Sequence, residues 1–150
     1  MAKLSQVGIT VVFLGVVITV IGLFPSVVGL EQSAGIGIVQ TLVILAGFTT
    51  LIMGALLYVQ SAYFPGIKHN LAQKIGFRLS LTGLVFAIAS GLADLLGYGS
   101  HPPGVEGQRP FLGNWQALGL LSGFAIASVG VLIVALMGEK VPPDKPTDPS

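Results

Sequence analysis

Four stretches of the chain are apolar for long enough to cross a membrane, which takes about 20 mostly apolar residues. They run from about Val7 to Phe24 with a continuation past Pro25 to Leu30, from Ile38 to Gln60, from Ile75 to Gly97, and from Trp115 to Met137. No Asp, Glu, Lys, Arg or His falls between Val7 and Leu30, between Ile38 and Gln60, or between Trp115 and Met137. The third stretch alone holds charges, Arg78 near one end and Asp94 near the other. The pattern predicts an all-α integral membrane protein, a four-transmembrane-helix bundle. Lys3 followed by an apolar run could open a signal peptide. The run is longer than the about 7–15 residues of a signal core and no small-residue cleavage site follows it, so a retained helix is expected.

The pattern also repeats. The second and fourth stretches align without gaps at an offset of 76: Gly37, Gln40, Leu42, Leu45, Gly47, Phe48, Gly54 and Leu56 match Gly113, Gln116, Leu118, Leu121, Gly123, Phe124, Gly130 and Leu132. The Gln and the Gly-Phe pair carry most of the weight, since Leu and Gly coincide easily in apolar segments. The first and third stretches align at an offset of 68, with Gly8, Gly15, Gly22 and Gly29 matched by Gly76, Gly83, Ser90 and Gly97. The expected organisation is two tandem parallel helical-hairpin repeats: residues 1–63, a connecting loop at 64–74, and residues 75–138 with a longer outer loop at 98–114. Each repeat has two spans, so both copies enter the membrane the same way up, related by a pseudo-two-fold axis along its normal. The tail 139–150 holds four prolines among polar residues and is expected to be disordered.

The seven-residue glycine spacing is a packing signal. Seven residues fall about 20° short of two helical turns, so such a stripe follows a left-handed partner. Lipid gives helices no hydrophobic reason to associate, and close van der Waals contact has to do it. The stripes through Gly8, Gly15, Gly22 and Gly29 and through Gly76, Gly83, Ser90 and Gly97 are therefore expected as helix-packing seams, with Gly47, Gly54, Gly119, Gly123 and Gly130 as further contacts. Packing within the bundle is the first reading and docking of an outside partner the alternative.

Composition agrees. Of 150 residues 53% are hydrophobic and 9% charged, against about 25% charged in a soluble domain, and the mean hydropathy is +0.88. A net charge of +1 leaves no clustered basic face for nucleic acid. The chain has no cysteine, which excludes disulfides, thiolate metal sites and iron–sulfur clusters.

Lysine and arginine set the orientation. Lys3, Lys68, Lys74, Arg78, Lys140 and Lys145 fall on one side and Arg109 on the other. Both termini and the loop before Lys74 are expected in the cytoplasm, in a multi-pass arrangement like that of a prokaryotic inner-membrane protein.

Few residues offer chemistry. Asp94 is the one span carboxylate, but sixteen residues after Arg78 it sits about 24 Å along the helix at 1.5 Å per residue, near the outer surface. It is expected to meet water or Arg109 there, with an ion- or proton-coupling role as the alternative. Gln40 and Gln116 occupy matched sites near helix ends and are expected to bond across a helix interface or cap a helix; ligation of a pigment magnesium is the alternative. His69 and His101 fall in loops on opposite sides without ligand partners at metal-binding spacing, so no metal site is expected and no cofactor is required. A chlorophyll or haem held at an interface stays open. Lys68, Lys74 and Arg78 together are expected to meet anionic lipid headgroups. Nothing assembles a nucleophile, a base and an orienting group, so the chain is not expected to be an enzyme. The expected function is a non-catalytic accessory subunit of a larger membrane complex of respiratory or photosynthetic electron-transport type, with lipid and other transmembrane subunits as partners. The alternative is a small oligomeric transporter or channel using Asp94.

Overall fold

A computed structural model describes residues 2–29, 37–66, 69–93, 96 and 112–138. The described residues form four long helices and no strand: α1 (Ala2–Leu23), α2 (Ile38–Tyr63), α3 (Leu71–Gly91) and α4 (Asn114–Leu136), with a 3₁₀ turn at Pro25–Val28. All four helices are long and apolar enough to cross a membrane.

The helix ends follow local chemistry more closely than hydropathy. α1 begins before Val7, because nothing in the polar start of the chain breaks a helix. It stops at Pro25, which occupies the first position of the 3₁₀ turn, where a missing N–H costs nothing. Gly29 closes that turn at φ +76°, its N–H donating to Ser26 O at 3.1 Å. A Cβ there would meet nothing within 4 Å among the described residues. Gly29 is thus a left-handed cap, not the seam residue that its spacing predicted.

α3 starts at Leu71, ahead of the apolar run from Ile75. A capping box drives this: the Asn70 side chain accepts from the Gln73 N–H at 2.8 Å, and Gln73 Oε1 accepts from the Asn70 N–H at 3.1 Å. The helix ends at Gly91, short of the Gly97 expected from hydropathy, with the Leu92 N–H bonded to Ile88 O at 3.0 Å. Asp94 and Gly97 lie outside the described residues.

α1 packs along α2 and α3 along α4, and α2 then packs on both α3 and α4. Within each hairpin the glycines let backbones touch. A Cβ on Gly8 would lie 2.7 Å from Tyr58 Cα, one on Gly54 2.7 Å from Val12 N, and one on Gly47 2.6 Å from Thr19 N. Gly15 abuts the Leu51 backbone, and Gly22 faces Ile44. Moving up α1 through 8, 12, 15, 19 and 22 thus moves down α2 through 58, 54, 51, 47 and 44, an antiparallel seam in one unbroken register.

Adding the offsets of 68 and 76 to those pairs gives 76 with 134, 80 with 130, 83 with 127, 87 with 123 and 90 with 120. The second hairpin is built in this register. Gly76 faces Val134, and Gly130 abuts Ser80, with its Cβ site 2.5 Å from Ser80 N. Gly83 comes as close to Ala127 N, and Gly123 approaches Ala87 N at 2.6 Å. Ser90 meets Gly119, one residue from the matched position. The glycine faces are therefore filled inside the hairpins. Ser80 Oγ also donates to Ala127 O across the second seam at 2.9 Å.

Between the hairpins lies a core of Leu45, Ile52, Leu56, Val59, Leu84, Ala87, Leu120 and Phe124, with Phe48 and Ile88 packed against it. The Phe48 and Phe124 rings stack at 3.9 Å between centroids. Here the two hairpins stop being alike. Leu45 and Leu56 of α2 are 5% and 4% exposed, whereas the matched Leu121 and Leu132 of α4 are 61% and 55% exposed. Leu84 of α3 is buried and its match Val16 on α1 is exposed. Leu45 and Leu120 close over Gly91 of α3, with methyls 3.0 and 3.1 Å from its Cβ site; the matched residue on α1 is Leu23.

Candidate functional site

The hairpin directions bring the start of α1, the end of α2, the start of α3 and the end of α4 to one end of the bundle. The formally charged residues among those described, Lys3, Lys74 and Arg78, all lie there. The described residues include no acid to offset them.

At this end an open pocket of about 240 Å³ is lined by Gln60, His69, Lys74, Phe77 and Arg78. Gln60 comes from the last turn of α2, His69 from the connection, and the other three from the first two turns of α3. Lys74, Phe77 and Arg78 stand at i, i+3 and i+4, so they share one face of α3. Lys74 and Arg78 are both exposed.

Two electrostatic costs are built into this face. Lys74, at the end of the first turn of α3, opposes the positive end of the helix macrodipole, and α3 has no acid in that turn. Like charges four residues apart also repel. An anion in the pocket would relieve both.

The start of α3 is held firmly. Asn70 Nδ2 donates to Met137 O at 2.6 Å, tying α3 to the end of α4. Gln73 is 2% exposed, and its Nε2 has no hydrogen-bond partner among the described residues. That amide lies beside Gly138, whose own close neighbour is the Phe64 ring. The pocket-bearing turns thus sit on a buried, capped base.

The remaining candidates are spread out. Gln116, at the opposite end, accepts from the Gly113 N–H through Oε1 at 2.6 Å, capping α4, and its buried Nε2 has no partner among the described residues. Gln40 is half-buried and makes no side-chain hydrogen bond among the described residues. His69 lies in the basic pocket. Lys68, Asp94, His101 and Arg109 lie outside the described residues. No group of three or more His, Cys, Asp or Glu residues is placed to hold a metal among the described residues.

Hydropathy and charge counting pointed to Lys74 and Arg78 but not to Gln60 or Phe77, whose membership depends on how α2 and α3 are juxtaposed. The Asn70–Gln73 box was legible as N-x-x-Q before an apolar run, although the apolar run itself sets the start of α3 later. The buried hydroxyls of Thr19, Thr41 and Ser80 carried no signal beyond being polar residues in apolar stretches.

The class that these features define is a helical bundle of two closely packed hairpins, apolar throughout its length and basic at one end. Comparison with family models, with curated proteins and with solved structures gives no match.

Proposed function

We propose that the chain is a membrane-inserted, non-catalytic subunit of a larger membrane assembly, of respiratory or photosynthetic electron-transport type, built by duplication of one hairpin. Insertion is supported by four spanning-length apolar helices. Duplication is supported by the shared glycine register, which two independent sequence offsets anticipate. With the basic end facing inward, both termini are cytoplasmic.

The observation that carries the partner reading is the uneven burial of matched faces. α2 buries Leu45 and Leu56 in the core, while α4 leaves Leu121 and Leu132 uncovered and α1 leaves Val16, Val20 and Leu23 uncovered. The glycine seams are consumed within the hairpins, so a partner helix would meet these aliphatic faces. Buried Thr19, Thr41 and Ser80 bond to backbone carbonyls at 2.7, 3.1 and 2.9 Å, and Gln73 and Gln116 sit at helix starts. This favours a packing role over transport, which usually needs polar groups at membrane depth.

The test is gentle detergent extraction from the native membrane, followed by native-gel sizing and mass spectrometry of the band. Co-migration with a multi-subunit assembly, lost on Leu121→Trp with Leu132→Trp, is the expected result. A small homo-oligomer with no other subunit would overturn the proposal and move the reading to a transporter or channel.

A further inference from the structure

We infer that the pocket between the end of α2 and the start of α3 binds a phosphate group, that of an anionic phospholipid headgroup. The inference rests on membrane insertion but not on the partner complex.

The pocket has the parts that such a ligand needs. Lys74 and Arg78 supply positive charge on one helix face. The guanidinium fork of an arginine matches two phosphate oxygens, which an ammonium does not. Gln60 offers an amide N–H₂ and His69 a ring N–H, so donors line the pocket from α2, from the connection and from α3. Phe77 gives an apolar wall for the glycerol and first acyl carbons. A single water needs about 10–15 Å³ of such space, so a pocket of about 240 Å³ takes a whole phosphodiester. Tyr58 and Tyr63, in edge contact at 6.1 Å, place an aromatic pair at the same helix end, where interfacial tyrosines gather at headgroup level.

Charge selects the kind of lipid. A zwitterionic headgroup brings its own ammonium, and the described residues offer it no carboxylate. An anionic headgroup such as a phosphatidylglycerol leaves the phosphate charge free for Lys74 and Arg78. It also offsets the repulsion between those two cations and the placement of Lys74 near the positive end of α3. The capping box and the Asn70 bond to Met137 hold that turn in place without ligand, so the pocket is preformed rather than shaped on binding.

The experiment uses the full chain purified in a neutral detergent. It is titrated separately with phosphatidylglycerol, phosphatidylcholine and inorganic phosphate, and read by native mass spectrometry and thermal midpoint. Phosphatidylglycerol should bind at about tenfold lower concentration than phosphatidylcholine, as expected for one to two cations near an anionic headgroup. The double variant Lys74→Gln, Arg78→Gln should bring the two lipids close to parity, while Lys3→Gln leaves the preference intact. Both altered side chains are exposed, and circular dichroism checks that the helices persist. Equal binding of the two lipids to the unaltered chain, or an unchanged preference in the double variant, would overturn the inference. Stabilisation by inorganic phosphate alone, lost in the double variant, keeps the phosphate site but overturns lipid as its source. Recovery of the chain in the aqueous phase without detergent would instead defeat membrane insertion itself.

Discussion

Phe48 of α2 and Phe124 of α4 stack ring on ring, with centroids 3.9 Å apart and planes 19° from parallel. The two residues match one another at the offset of 76, so the aromatic tie between the hairpins joins like to like. Phe124 is 4% exposed, so the stack is part of the core.

Truncating the stack should loosen the hairpins from each other before either unfolds. Phe124→Ala is expected to cost about 1–3 kcal/mol, less than the about 3–5 kcal/mol of an aqueous core, because detergent solvates a ring freed from the core much as protein does. A double-mutant cycle with Phe48→Ala, followed by denaturant titration in detergent micelles, should return a coupling of about 0.5–1.5 kcal/mol. Strict additivity of the two substitutions would mean that the stack contributes nothing of its own.

The glycine seams should be intolerant of bulk. Gly15→Leu and Gly83→Leu place side chains where the backbones of Leu51 and Ala127 already stand. Either change should separate the helices of its hairpin and abolish disulfide trapping between engineered cysteines across the seam. Gly37→Ala is the control, since a Cβ there meets nothing within 4 Å among the described residues. Normal trapping in both leucine variants would refute the packing account.

At the start of α3, Asn70→Ala removes a cap and the bond to Met137 O together. A lost cap typically costs about 1 kcal/mol. Hydrogen exchange should quicken in the first turn of α3 and the last turn of α4, and nowhere else. Unchanged protection at both sites would show that the capping box is not what sets this helix start.

Ser80→Ala removes the hydroxyl that donates to Ala127 O at 2.9 Å. Hydrogen bonds between membrane helices average about 0.6 kcal/mol and reach about 1.7 kcal/mol. A fall in the thermal midpoint corresponding to that range is expected in detergent. A gain in stability would indicate that Ser80 stands where a methyl packs better.

Much of this was legible from residues alone, for reasons that differ by feature. The four helices long and apolar enough to cross a membrane follow from the uncharged runs, since a bilayer-spanning segment tolerates few charges. The hairpin seams follow from Gly8, Gly15 and Gly22, because a seven-residue period on a helix can only describe a slowly winding stripe. Gly29 keeps that period and yet lies off the stripe, because Pro25 has already ended the helix that would have carried it. The start of α3 was misplaced where hydropathy outweighed the cap at Asn70. His69 and Lys74 were identifiable as polar residues near a boundary, but nothing in their spacing placed Gln60 beside them.

The sequence by itself determined the four helices, the pairing of each with its neighbour, and the glycine register within each hairpin, because periodicity and short connections act locally. Only the tertiary structure decided how the hairpins meet. Leu45 and Leu121 are the same residue at matched positions, and one is buried while the other is exposed. Leu45 closes over Gly91 of α3, with a methyl 3.0 Å from its Cβ site, where a larger residue would leave no room. Such a choice between equivalent apolar faces is settled by steric fit across the bundle, which no single helix encodes.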